Sequence, residues 1–324
     1  GQSEFLPGRT REAKWQARNS LTKMANRHQI KFGASYMSAQ VDNLFPRELA
    51  GQFFFRTAQD FLTNRPSRLD QGYGPTLGLN SFRYRARGAF LQDSVPVFGT
   101  VTLHYGIRFD AQSLPSPVAN AYPSHPEFRT NFADETESWA PRLSLAWAPG
   151  RDGRSVVRWG VGRYYNPLPM ILYAGPLAEV TGLFNRISVD CSRALCPTYP
   201  NILSPEEFAH AARTSSNVTI VSPDLDVPGS LRTSLGLERW LNPAMCVAVE
   251  AVYARIDHAP RLVQVNAVPL GFAYGNLPVY ELQSPTRRYP DLQTVRMHVG
   301  DAQGSYRALT VSTQGSAQGA LGAT

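Results

Sequence analysis

The side chains able to do covalent or metal chemistry are few in this sequence and wrongly spaced for it. Its six histidines are scattered, and no HExxH, GxSxG, Walker-type loop or CxxC pair occurs. A zinc protease, an acyl-transfer enzyme, a nucleotide cradle or a dithiol site needs one of those spacings to bring its groups together. Gly160-Val161-Gly162 lacks the third glycine and the following helix of a dinucleotide site. His28 and His104 fall within alternating segments and read as strand residues rather than ligands. Asp134, Glu135 and Glu137 read as a solvated loop face, not a calcium cage. Catalytic, cofactor and metal sites are not expected, and neither is an enzyme.

Of three cysteines, Cys191 and Cys196 stand five apart in CSRALC, within a long loop. They could close a local disulfide in an oxidising envelope compartment, with two free thiols as the alternative. Cys246 lies inside a strand and reads as a small packing residue.

What recurs is arginine at every second position of β-like segments. A strand sends successive side chains to opposite faces. Within residues 80–93, one row holds Phe82, Tyr84, Ala86, Gly88 and Phe90, and the other Arg83, Arg85, Arg87 and Ala89. The next segment sets Val101, Leu103, Tyr105, Ile107 and Phe109 against Thr102, His104, Gly106, Arg108 and Asp110. Leu143 and Leu145 oppose Arg142 and Ser144, and Val157, Trp159 and Val161 oppose Arg158, Gly160 and Gly162. Leu235 and Leu237 oppose Arg232, Gly236 and Glu238; Val247 and Val249 oppose Cys246, Ala248 and Glu250. A charge at a bilayer midplane costs about 2–4 kcal/mol. If these strands cross a membrane, Arg83, Arg85, Arg87, Arg108, Arg142, Arg158, Arg232, Glu238 and Glu250 are expected to face the lumen. Phe82, Tyr84, Phe90, Val101, Leu103, Tyr105, Ile107, Leu143, Leu145, Leu235, Leu237, Val247 and Val249 are then expected to face lipid.

The strands come as hairpins of about ten residues each, joined by tight turns at 25–27, 96–98, 150–153 and 241–243. The connections at the opposite end are long, notably 43–79, 111–138 and 166–229. Short turns at one end and long loops at the other are the layout of an outer-membrane β-barrel, whereas a soluble sandwich has turn signals at both ends. Within the loops, 52–56 could pair as a short strand and 57–63 could make a helical turn or two. Residues 205–213 read as a helix capped by Ser204 with Glu207 three residues on. The Pro-, Ser- and Asn-rich stretch 111–138 is expected at the surface.

Bulk composition agrees with this layout. Apolar content is 43% with mean hydropathy −0.27, as alternating rows would give, and no apolar run reaches the length of a spanning helix. Net charge is +7, but the arginines are spread along strands instead of gathered on one face. Nucleic acid is not an expected partner; anionic lipopolysaccharide and a polar lumen account for the balance. The fold class expected is all-β: an antiparallel up-and-down transmembrane β-barrel, partial, with about nine or ten strands, short periplasmic turns and long extracellular loops. Residues 1–324 are expected to form one partial outer-membrane barrel domain, an internal piece of a longer chain.

Several phrases, in order, are similar to those of one family. HQIKFGASY, GQFFF with QDFLTNRPS, and YRARGAFLQDSVPVFGTVTLHYGIRFD come first; SWAPRLSLAWAPGRDGRSVVRWGVGRYYN, APRLVQVNAVPLG and GSYRALTVSTQGSAQG follow. Together they resemble the Oar-like branch of the TonB-dependent outer-membrane transporters. Departures are Ser94 and Pro96, where the family has an aromatic and a polar residue, and Gly315 to Ala317, where it has Lys-Arg. The resemblance implies a plug domain in the lumen, an upstream regulatory-like domain, closing strands beyond this stretch, and a TonB energising complex reached through an N-terminal part. It implies import of a substrate whose identity the sequence does not give. A surface or adhesion barrel with binding loops and no import is the alternative, and a soluble glycan-binding β-protein a third.

Overall fold

The computed structural model describes residues 6–130, 135–150, 152–192, 196–275, 277–281 and 285–315. In chain order the first elements are β1 (Arg9–Ala25), β2 (His28–Leu44), β3 (Gln52–Phe54), α1 (Ala58–Leu62), β4 (Arg68–Tyr73), β5 (Asn80–Phe98) and β6 (Val101–Ser113). Then come α2 (Glu127–Thr130), β7 (Glu135–Trp147), β8 (Ser155–Tyr165), α3 (Ile171–Val180), β9 (Asn185–Asp190), α4 (Pro205–Ser215) and β10 (Ser216–Val221). The last are β11 (Gly229–Asn242), β12 (Met245–Gln264), β13 (Val268–Tyr274), β14 (Leu277–Glu281) and β15 (Thr294–Gly315).

Long strands form an antiparallel wall in the order β1-β2-β5-β6-β7-β8-β11-β12-β15, which is up-and-down once the short loop strands are set aside. A tilted hydrocarbon crossing needs about 9–11 residues. The wall strands run from 11 residues in β8 to 22 in β15, longer than their sequence suggests, and the excess stands at the loop end. Two of the tight turns fall later than expected. Strand β5 runs on to Phe98, with Gly99 at φ 52 making the turn, and β11 runs on to Asn242. Pro96 has no N–H to give the ladder, and the register shift between Pro96 and Phe98 accommodates it. A similar shift lies between Trp240 and Asn242.

Register settles which residues share a face. Leu103 opposes Val95 and Leu145, Leu145 opposes Trp159, Trp159 opposes Leu235, and Leu235 opposes Ala251, itself opposite Leu309. Tyr105, Ile107, Leu143, Leu237, Val247 and Val249 lie on this same row, as does Val101, which is buried between neighbours. The row leaves Trp15, Leu21, Leu91, Leu143, Trp159, Leu235 and Leu309 exposed over the face as a whole. Such a row is unfavourable in water by about 1.5–3 kcal/mol per large side chain and favourable against acyl chains. It is the outer face.

Strand β5 overturns part of the sequence reading. Phe82 opposes Val41, Tyr84 opposes Ala39, and Phe90 opposes Gly33 and Arg108, so these three aromatics lie on the inner face. Arg83, Arg85 and Arg87 oppose Gln40, Ser38 and Tyr36 on the outer face and are exposed. Composition favours the aromatic row for lipid, yet each aromatic has an inner partner. Phe82 joins the loop core, the Tyr84 hydroxyl donates to Glu12 at 3.3 Å, and the Phe90 ring covers Gly33, where an added Cβ would sit 2.7 Å from it. The three arginines occupy the loop-end half of β5, away from the turn that joins it to β6.

The hydrophobic core sits in the loops. One cluster joins Val41 and Phe82 of the wall to Phe128, Leu168, Tyr173, Leu177, Val218, Ile220, Tyr289 and Val295. A second holds Leu69, Ile187, Val189, Leu203 and Phe208. Phe128 is fully buried, so the stretch expected to be all surface contributes to the core. Strand β10 pairs in parallel with the start of β15, and β9, β4 and β3 extend the sheet antiparallel from it. The loop after β2, the loop after β8 and the loop before β15 thereby fold into one cap. The short strand and helix expected at 52–63 are β3 and α1, and the expected capped helix is α4, with Ser204 and Glu207 bonded reciprocally. Asp134 and the residues after Gly315 lie outside the described residues, as does the side chain of Glu135.

Candidate functional site

The inner wall is polar and sterically interleaved. Along one level the register reads Gln92, Gly106, Arg142, Gly162, Arg232 and Ala254 from β5 to β12. Two levels nearer the turns it reads Ala146, Arg158, Gly236, Glu250 and Thr310. Arginine thus alternates with glycine across the strands, and at Gly162 and Gly88 the glycine makes the space its neighbour fills. A Cβ at Gly162 would sit 3.0 Å from the Arg142 Cγ; one at Gly88 would meet Asp110 at 2.6 Å and Arg108 at 2.9 Å. The Arg142 side chain thus packs over Gly162, and Arg108 and Asp110 pack over Gly88.

Arg108, Arg142 and Arg158 are also oriented by a partner. The Arg158 Nη1 donates to Glu238 Oε2 at 2.7 Å from β8 to β11. Arg108 forks onto both oxygens of Asp110 at 2.6 and 2.5 Å. Arg142 lies over the Tyr164 ring at 4.4 Å. Here His104, Arg142, Arg158, Gly160, Arg232 and Ser234 line a hollow of about 500 Å³. The structure thus brings Arg108, Arg142, Arg158, Arg232, Glu238 and Glu250 onto one face and places Arg83, Arg85 and Arg87 on the other. Among the described residues no group of three or more His, Cys, Asp or Glu is placed to hold a metal.

One carboxylate stands on the outer row near the turns, and sequence reasoning gave no account of it. Asp93 is bonded by His28 Nδ1 at 2.5 Å and by the Tyr105 hydroxyl at 2.9 Å, which shield it from the membrane side.

The cap closes over the loop end of the inner face through buried polar links absent from the sequence reading. Gln71 exchanges two hydrogen bonds with the Leu203 backbone, and Gln112 does the same with Leu168. Asn266 donates to the Tyr289 and Leu292 carbonyls and accepts from the Tyr289 N–H. Arg186, on β9, is only 3% exposed; its Nε donates to Glu179 at 3.1 Å and its Nη1 faces Glu48 at 3.8 Å. The other Glu179 oxygen accepts the Thr219 N–H of β10 at 2.6 Å, so one carboxylate joins α3, β9 and β10. Burial opposes the Arg186 charge, but Glu179 and Glu48 outweigh it and hold its pKa above the ordinary arginine value. Cys191 and Cys196 are disulfide-bonded at the edge of the second cluster, and Cys246 is a buried free thiol. The only hint of the amide links in the sequence is a polar residue amid apolar ones, as at Asn266.

An apolar outer face, a charged inner face, short turns at one end and a folded cap at the other define the wall of a transmembrane β-barrel. The chain belongs to the outer membrane beta barrel domain family, whose model matches residues 1–323, and it is a protein of the cell outer membrane. It is 26% identical over 192 residues to the TonB-dependent transporter Oar of Myxococcus xanthus, covering 51% of this chain and 17% of that protein. The outer membrane transporter YddB from Escherichia coli superposes with a TM-score of 0.54 at 11% identity, over 94% of this chain and 30% of that one. The siderophore receptor PirA from Acinetobacter baumannii gives 0.51 at 11% identity, over 94% and 34%. At such identities the likeness shows the fold alone.

Proposed function

We propose that residues 1–324 form part of the barrel wall of a TonB-dependent outer-membrane receptor that takes up a substrate across the outer membrane. The observation that carries this reading is the inner wall, where Arg142, Arg158, Arg232, Glu238 and Glu250 share one face with interleaved glycines and give a charged surface against which a plug can seat. In this reading Arg108, Arg142, Arg158, Arg232, Glu238 and Glu250 face the plug, the outer row from Leu103 to Val249 faces lipid, and the cap receives the substrate. The partners in this reading are outer-membrane lipid and lipopolysaccharide, the protein's own plug, and the TonB energising complex, the last supported by the likeness to a TonB-dependent transporter. The chain performs no covalent chemistry of its own.

The test is genetic and uses the complete gene. A deletion strain is compared with its parent on siderophores, sugars and peptides offered as sole sources, with an energising-complex mutant alongside. Loss of growth on a common nutrient in both supports import. Unchanged growth on all of them, with surface attachment lost, favours the adhesion barrel.

A further inference from the structure

Between the loop end of β2, helix α3 and the start of β15 the cap encloses a hollow of about 200 Å³. Phe45, Ile171 and Leu262 line it and stay exposed, as an apolar rim would. Gly175 of α3 lines it too, and a Cβ added there would meet nothing within 4 Å. Its charged and titratable groups are Arg47, Glu179, Arg296 and His298. Glu179 is already committed, one oxygen to the Arg186 Nε at 3.1 Å and the other to the Thr219 N–H at 2.6 Å. Glu48 lies 3.8 Å from Arg186 and 3.9 Å from Arg47, and Asp70 pairs with Arg68 at 3.1 Å. Four guanidinium groups therefore meet three carboxylates. Arg296 is the surplus: among the described residues its side chain makes no hydrogen bond and no ion pair. Burial, with Arg186 and Arg47 nearby, holds its pKa below the ordinary arginine value despite Glu179 and Glu48. Burial also holds His298 below the usual imidazole range, so at pH 7 it adds no second charge.

One surplus cation in a small hollow with an apolar rim selects the group that fits it. A carboxylate balances a single charge and matches the guanidinium fork, whereas a phosphate monoester, near two negative charges, overshoots. Sites for drug-sized ligands hold about 300–1,000 Å³, so this one takes a compact group or the end of a longer molecule. We propose that the hollow beside α3 binds the carboxylate end of an apolar organic acid, free or as the C-terminal residue of a peptide. Arg296 meets the carboxylate, and Phe45, Ile171 and Leu262 surround the apolar part. This inference rests on the reading of the cap as the receiver of the substrate, and it names the substrate's chemical class.

The experiment is calorimetric titration of the complete polypeptide in neutral detergent. The probes are 3-phenylpropionate, its uncharged amide, phenyl phosphate and N-acetylglycylphenylalanine. The acid is expected to bind about tenfold more tightly than the amide or the phosphate, as one charge-assisted hydrogen bond supplies. Arg296→Gln should remove that preference, leaving the acid about tenfold weaker and the amide within about twofold of its parent value. Equal binding of acid and amide, phosphate bound as tightly as the acid, an undiminished preference in the variant, or no binding of either acid overturns the site. Tighter binding of the acylated dipeptide identifies a peptide terminus as the source, and tighter binding of 3-phenylpropionate a free acid. Heat-dependent gel mobility and an unaltered proteolysis pattern from α3 to β10 show that a variant keeps its barrel and cap. Should Arg296→Gln fail there, Gly175→Leu replaces it, filling the open space of the hollow; a loss of about tenfold is expected, and no loss overturns the site. Absence of heat-dependent mobility in the unaltered protein defeats the barrel reading, and unchanged growth of the deletion strain defeats import. Neither is a binding result, so the failures stay distinct.

Discussion

The wall and the cap are parts of one continuous sheet and obey different physics. The wall has little side-chain core: its large apolar residues are exposed outward and its inner face is polar, so its stability comes from the backbone ladder and the surrounding lipid. The cap carries the buried clusters, the buried Arg186–Glu179 pair and the amide links, as a small water-soluble domain would. The lesson is that damage to one should leave the other standing, and that each answers to its own kind of substitution.

The sharpest break should come from Glu179→Ala. It leaves the Arg186 charge buried without its main partner and removes the acceptor for Thr219, at a cost of about 3–5 kcal/mol. Limited proteolysis should then cut within α3 to β10, while the barrel keeps its heat-dependent gel mobility; loss of both together would unite the two regions after all. Leu235→Arg is the counterpart in the wall. On the outer row it should reduce stability in lipid by about 2–4 kcal/mol, measured by denaturant unfolding in liposomes. Ser234→Arg, one residue along on the inner face beside Gly160, should cost clearly less. A smaller effect, about 1–3 kcal/mol confined to the cap, is expected for Asn266→Ala, which abandons the Tyr289 and Leu292 carbonyls. Amide exchange of residues 289–292 would speed up while exchange in β11 stays slow.

The mildest lever is acid. The Ser204 backbone and side chain hold the Glu207 carboxyl below the ordinary glutamate range at the start of α4. A lowered folded pKa means its contribution is complete above the unfolded value and fades as pH falls through the folded one. Helix α4 should therefore fray on acidification below about pH 4, with Glu207→Gln removing the dependence. Unaltered pH sensitivity in that variant would point to another group.

How far the sequence could be read follows the same division. Period two is local, so rows such as Leu103, Tyr105 and Ile107 announce their strands. Face assignment on the wall failed only in β5, because phenylalanine and tyrosine look like lipid-facing residues and only the partners Val41, Glu12 and Gly33 show otherwise. That Arg142, Arg158 and Arg232 share one face was legible, since each alternates with apolar residues along its own strand. The cap was legible only in its local parts, the capping box at Ser204 among them. Strands β4, β9 and β10 find partners far along the chain, as Gln71 finds Leu203 at a separation of 132 residues, and no local pattern carries such information.

The parallel pairing of β10 with β15 also fixes an order of events. Val218 and Ile220 find their backbone partners only at residues 295–297, so the lid fragments leaving β2 and β8, joined to each other through β4 and β9, are fastened to β15 only once that late strand is in place. A lid fastened in this way therefore reports that the chain is in place as far as its last described strand.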